Sequence, residues 1–212
     1  MIILSVRLSV GGNELTLIDE AGASHTVTLS DAVRLGLGRA VEEPSILPKE
    51  APDDAVDFME RKCACLRYAL SLLGMSDKSR RALSEKLRRK GYASDVCEAV
   101  LAVLEKNGYL DDAALCARYV RALAEGKHFG PHRLTAACME KGFDRRTIEF
   151  AIEDAALDFD ALAEEAWQSI TAKKPPADKK SFEAARRKLL NLGYGYDTVR
   201  SVTADLRPDE EA

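Results

Sequence analysis

The side chains that could hold a metal or act as nucleophiles are few and poorly spaced for either task. His128 and His132 stand four residues apart, a spacing that places two ligands on one helix face, but Gly130-Pro131 between them breaks that helix. Cys63-x-Cys65 has no second CxxC and no suitably placed histidine to complete a zinc set. The sequence holds no nucleophile elbow, no phosphate-cradling glycine loop and no glycosidase-like carboxylate pair. Asp111-Asp112 follows Gly108-Tyr109-Leu110 and precedes a helical stretch, so it reads as helix capping and dipole stabilisation rather than acid–base chemistry. The expectation is a protein without cofactor, metal or catalytic set.

Basic clusters are the feature that carries functional weight. Arg80, Arg81, Lys86, Arg88, Arg89 and Lys90 crowd one short segment. Arg118, Arg121, Lys127, His128, His132, Arg133 and Lys141 surround a second, and Arg186, Arg187 and Lys188 a third. Each cluster can be a solvated helix face laced by i, i+4 pairs, or part of a basic stripe that meets an acidic partner or phosphate. Residues 147–165 carry seven acidic groups and no basic one. That block is either a solvated face or a contact for basic loops.

The elements that must position these clusters follow from composition and periodicity. The chain has 212 residues, 46% of them hydrophobic, and a net charge of −4 that hides strong segregation. By count, residues 1–60 sum to −7 and residues 61–106 to +6. Such a balance argues against indiscriminate polyanion binding. No apolar run reaches the roughly 18 residues of a membrane span. The start MIILSVRLSV lacks a basic region and a small-residue cleavage site, so it reads as a strand rather than a signal peptide. Five unpatterned cysteines without a secretion signal imply reduced thiols and a cytoplasmic protein.

Residues 1–56 predict a small β-rich segment. Strands are expected at Ile2 to Val10, Glu14 to Ile18 and His25 to Leu29, with Gly11-Gly12-Asn13 and Asp19 to Gly22 as turns. Ser30 is the expected cap of a short helix through Leu35, and the three prolines of residues 43–53 suggest a linker. Three strands and one short helix are marginal alone, so this segment should pack on something else.

From about Asp57 the chain predicts helices, and it repeats. Lys90-Gly91-Tyr92, Lys141-Gly142-Phe143 and Leu192-Gly193-Tyr194 are spaced 51 residues apart. The same offset aligns Ser79 with Gly130 and Ser181, Leu87 with Cys138 and Leu189, and Cys65 with Cys116 and Trp167. Ser79, Gly130 and Ser181 are expected N-caps, and each glycine a left-handed C′ residue whose following aromatic folds back on the helix. Cysteines that trade places with Leu or Ile across repeats read as small core residues. The fold class expected is mainly α: three tandem three-helix repeats (57–108, 109–158 and 159–212) forming an elongated rod, behind the β-containing segment. In the first repeat the helices are expected near 59–74, 80–90 and 94–106.

Tyr68-Ala69-Leu70-x-Leu72-Leu73, Ser79-Arg80-x-x-Leu83-x-x-x-Leu87-x-x-Lys90-Gly91-Tyr92 and Gly108-Tyr109-Leu110-Asp111-Asp112 together resemble the core of the RecX regulatory family. Ala117-Arg118-Tyr119-Val120-Arg121 and Gly130-Pro131-x-Arg133-Leu134 extend the likeness, as does Gly193-Tyr194-x-Tyr196-Asp197 near the end. It covers about residues 59–206. The resemblance implies a bacterial modulator, monomeric and without cofactor or membrane, that binds the RecA recombinase filament in or near its groove. It also implies contact with DNA within the filament, repression of ATP hydrolysis and strand exchange, and a setting in DNA repair, recombination and the SOS response. Arg118, Arg121 and Arg133, with the repeat-one cluster, match the family's basic pattern. The alternative is a helical nucleic-acid-binding protein of the helix-turn-helix type, which a basic second helix also suits.

Overall fold

The computed structural model describes residues 1–204; the last eight residues assigned to the third repeat lie outside the described residues. The chain is mainly helical with a small antiparallel sheet, and it divides into two units. One comprises residues 1–78 and 83–110; the other comprises Ser79–Ala82 with the chain from Asp111 onward.

In the first unit, β1 (Ile2–Leu8), β2 (Glu14–Asp19) and β3 (Ser24–Thr28) form a meander, followed by α1 (Leu29–Arg34). The expected linker is a correction. Pro44–Ile46 makes a single 3-10 turn, and Lys49–Glu50 forms β4 on the free edge of β1, completing the order β3-β2-β1-β4. The prolines flank this short strand instead of interrupting it, and Ala51 N–H donates to Met1 O at 3.0 Å. Thr28, not Ser30, caps α1: its Oγ1 accepts from the Asp31 amide. One sheet face buries Ile3, Leu15, Leu17 and Val27 with Ala32, Leu37 and Val56.

What covers that face is α2 (Asp53–Met75), which starts earlier than the expected helix near 59–74. Its 23 residues span about 34 Å at 1.5 Å per residue. The first half closes the sheet core through Val56. The second half supplies Cys65, Ala69 and Leu72 to a second core with α3 (Arg80–Arg89) and α4 (Ser94–Lys106), where Leu83, Leu87, Cys97, Val100, Leu101 and Leu104 are buried. Helices of ten to thirteen residues are marginal alone in water, so this shared core is what holds them.

The sheet end of α2 also carries a buried ion pair. Lys62 Nζ lies 2.8 and 3.0 Å from the two carboxylate oxygens of Asp31, which is 1% exposed. Thr28 Oγ1 donates to the same carboxylate at 2.7 Å. Nearby, His25 Nδ1 meets Glu60 Oε2 at 3.0 Å, and its Nε2 lies 3.5 Å from Asp19. The hydrogen bond to Glu60 raises the His25 pKa above its ordinary value, against the opposing effect of burial.

The second unit builds two further cores. Helices α5 (Asp112–Lys127), α6 (Pro131–Lys141) and α7 (Arg145–Asp154) bury Cys116, Val120, Leu134, Cys138, Phe143 and Ile148. Helices α8 (Phe159–Lys173), α9 (Lys179–Asn191) and α10 (Tyr196–Val202) bury Trp167, Phe182, Leu189, Tyr194 and Val199. Asp111 caps α5 by accepting from Ala114 N–H at 2.9 Å, the role its sequence context assigns. All five cysteines are buried and free. Burial pushes the thiols of Cys63, Cys65 and Cys116 up to about 12, which keeps them protonated and unreactive.

Candidate functional site

The recurring spacing of caps and glycines has a tertiary consequence that periodicity alone does not reveal. Gly91, Gly142 and Gly193 all adopt left-handed φ, at 102°, 97° and 92°. Tyr92 N–H and Phe143 N–H reach back to Leu87 O and Cys138 O, closing the helix ends as expected. In the second unit, two of these glycine ends receive the start of another helix. Ser79 Oγ donates to Lys141 O at 2.8 Å while also capping the Ala82 amide, and a Cβ on Gly142 would come within 2.7 Å of that hydroxyl.

One register later the arrangement recurs. Gly130 N–H donates to Leu192 O at 2.7 Å, His132 N–H to Gly193 O at 3.2 Å, and the Arg133 guanidinium to Asn191 O at 2.6 Å. A Cβ on Gly193 would lie 2.4 Å from Arg133 N. Each joint sets the positive start of one helix on the negative end of another, so backbone groups orphaned at both ends are satisfied together. In the sequence these residues read as caps and not as partners of each other; the repeated 51-residue offset of both sets is the signal that joins them.

One expected cap differs. Helix α9 begins at Lys179, three residues before the register of α6 requires, and Asp178 rather than Ser181 is its cap. Asp178 Oδ1 accepts from Ser181 N–H at 2.7 Å and Ser181 Oγ accepts from Asp178 N–H at 3.1 Å, a reciprocal capping box. The acidic side chain three residues upstream outcompetes the serine for the first amides.

The basic residues fall into distinct environments. In the first unit, Lys86, Arg88, Arg89 and Lys90 are exposed on the last turns of α3. Arg88 pairs with Glu98 at 3.3 Å, Arg89 Nε donates to Glu85 O at 3.3 Å, and Lys90 Nζ sits 5.6 Å from the Tyr68 ring centre. In the second unit, Arg80 is half-buried, and Arg80, Arg81 and Arg118 are each engaged by neighbouring groups. Arg121 pairs with Asp154 at 3.4 Å across exposed helix faces. Lys127 and Arg133 both lie over Phe129, at 5.7 and 4.4 Å. Lys141 stacks on Tyr119 at 5.6 Å, the repeat counterpart of Lys90 on Tyr68. Arg186 pairs with Glu183 at 3.0 Å, whereas Arg187 and Lys188 are exposed and no ion pair holds them among the described residues.

These contacts separate two jobs. Lys90, Lys141 and Arg133 brace aromatic lids or a joint and are partly committed to the fold. Arg121, Arg88 and Arg89 hold exposed and only weakly paired charges. His128 does not present a ligand pair with His132: it is the left-handed cap of α5, its carbonyl accepts from Tyr194 Oη at 2.9 Å, and its ring faces Glu165 at 3.6 Å. No group of side chains suited to a metal occurs among the described residues, and no described helix is long and apolar enough to cross a membrane.

Comparison with known proteins places this arrangement. A family model described as "RecX, first three-helix domain" matches residues 65–104. A protein named Regulatory protein RecX from Pseudomonas entomophila is 27% identical over 141 residues, covering 66% of this chain and 90% of the relative. One of the same name from Halorhodospira halophila is 29% identical over 143 residues, covering 68% and 88%. Among solved structures, a crystal structure of regulatory protein RecX superposes with a TM-score of 0.74 at 14% identity, covering 96% of this chain and 100% of that one. RecX from Lactobacillus salivarius gives 0.61 at 18% identity, covering 69% and 96%. At these identities the structural likeness speaks for the fold.

Proposed function

We propose that this chain is a regulatory protein of the RecX type, as the family model over residues 65–104 and the relatives named Regulatory protein RecX support, and that it binds the RecA filament on DNA and restrains it, lowering ATP turnover and strand exchange. It acts by binding as a monomer in the cytoplasm, without cofactor. One observation carries the reading: a three-helix unit used three times, with exposed basic side chains on its helices, suits a partner that is itself periodic. Arg121, Arg88, Arg89, Arg187 and Lys188 supply charge for acidic filament surface or phosphate, and Arg118 lies three residues from Arg121 on the same helix. The bound protein blocks subunit addition or the closure that ATP turnover requires.

The test is single-stranded-DNA-dependent RecA ATPase with increasing wild-type protein beside the Arg118→Glu, Arg121→Glu double variant. Wild type should suppress turnover and the double variant should need at least tenfold more protein. Unchanged turnover at excess wild type refutes the proposal. Titration of labelled free DNA separates the helix-turn-helix alternative, which requires binding without RecA and a steep loss of affinity with salt.

A further inference from the structure

The helix-start-on-glycine joint occurs twice in the second unit, and its third glycine is open. Gly91 has the same left-handed backbone as Gly142 and Gly193, yet a Cβ built on it would meet nothing within 4 Å. It is exposed, as are Lys90 and Arg89 before it. The carbonyls of Lys141, Leu192 and Gly193 are engaged by a helix start. Their counterparts, Lys90 O and Gly91 O, accept no hydrogen bond of that kind among the described residues. We propose that the Lys90-Gly91-Tyr92 end of α3 is a docking site for the first turn of a helix from a partner protein, seated as Ser79 and Gly130 seat on the other two glycines.

The chemistry of the occupant follows from the two filled joints. It begins with a small or hydroxyl-bearing residue, since Cβ-free or short caps are what the close approach admits: Ser79 at one joint, Gly130 at the other. Its first turn is acidic. At the filled joints the arriving helices bring Arg80 and Arg81, or His132 and Arg133, while the receiving helices carry Glu140 or Asn191 at the residue before the carbonyl that accepts. In α3 that residue is Arg89, flanked by Arg88 and Lys90, so this end is basic where Glu140 is acidic and Asn191 neutral. An acidic first turn also suits the positive end of its own helix dipole. The register-equivalent helix starts of a second copy of this chain do not qualify. Its Ser79 and Gly130 are already seated, and the register-equivalent start at Ser181 is closed by the extra turn and the Asp178 capping box.

The inference rests on the filament reading above, and its test uses the RecA filament on single-stranded DNA as the probe. Gly91→Asn is the discriminating substitution. Asparagine tolerates left-handed φ, and the space around Gly91 accepts a side chain, so the fold should stand with a melting temperature within a few degrees of wild type. The same side chain would occupy the volume that the filled joints leave to the arriving helix. Binding of labelled protein to the filament should fall at least tenfold for Gly91→Asn and about tenfold for Arg89→Glu. Hydrogen exchange on the wild type, which needs no variant, should show residues 88–92 protected on filament binding. Wild-type affinity in Gly91→Asn, or unprotected amides at 88–92 in a bound complex, overturns the docking site and leaves the filament reading standing. Failure of the wild type to bind overturns both.

Discussion

Gly193 and Gly91 offer a matched pair for measuring what the joint is worth. Both end the second helix of a repeat, both are left-handed, and alanine at either meets the same local strain of about 1 kcal/mol. They differ in surroundings. Around Gly91 there is room; at Gly193 the new Cβ would lie 2.4 Å from Arg133 N and 2.5 Å from Arg133 Cβ, so the start of α6 must move. Overpacking of this kind costs about 1–3 kcal/mol. Displacement also weakens two backbone hydrogen bonds, Gly130 N–H to Leu192 O and His132 N–H to Gly193 O, each worth about 1 kcal/mol. Gly193→Ala should therefore cost about 3–4 kcal/mol and Gly91→Ala about 1 kcal/mol. Urea unfolding followed by circular dichroism reads both, and in melting temperature the gap should be roughly 5–10 °C. If Gly91→Ala loses as much as Gly193→Ala, the cost is backbone strain alone and the close approach contributes nothing.

Three further outcomes follow from the first unit and the thiols. His25 has a raised pKa, so its pairing with Glu60 stabilises fully below about pH 6.5, the ordinary histidine value, and that contribution disappears as pH climbs through the raised folded-state value. The stability difference between wild type and His25→Gln should shrink from pH 5.5 to 8.5, and a difference independent of pH would refute the assignment. Lys62→Met strands the Asp31 carboxylate in the sheet core and should cost about 3–5 kcal/mol, while the Asp31→Asn, Lys62→Met double variant recovers part of that; equal losses in both would show that the charge is not what matters. All five cysteines should react with a thiol reagent only on unfolding, and rapid labelling of native protein would contradict their burial.

Much of this protein was written in local pattern. The repeat was legible because each 51-residue step returns an apolar stripe and a glycine followed by an aromatic residue, and these act within a few residues of one another. The Asp111 cap, the left-handed glycines and the buried cysteines needed no knowledge of the rest of the chain. Other features join residues far apart. Lys62 sits on an amphipathic helix among charged neighbours and looks like a surface lysine until Asp31, 31 residues earlier, is brought beside it. Lys49-Glu50 is too short to announce a strand and becomes one because the edge of β1 is free to pair. The basic residues were countable in advance, but their division into braces such as Arg133 and exposed, weakly paired charges such as Arg121 came from what the packing set against them.

Sequence alone determined that this chain is three copies of a helical triplet behind a small sheet, because capping, helix periodicity and glycine termination are short-range properties of residue type. Tertiary structure alone decided that the start of one helix seats on the glycine end of another, at Gly142 and at Gly193. That contact depends on close backbone approach between segments some 60 residues apart, which the recurring offset of caps and glycines hints at but short-range residue preferences cannot specify.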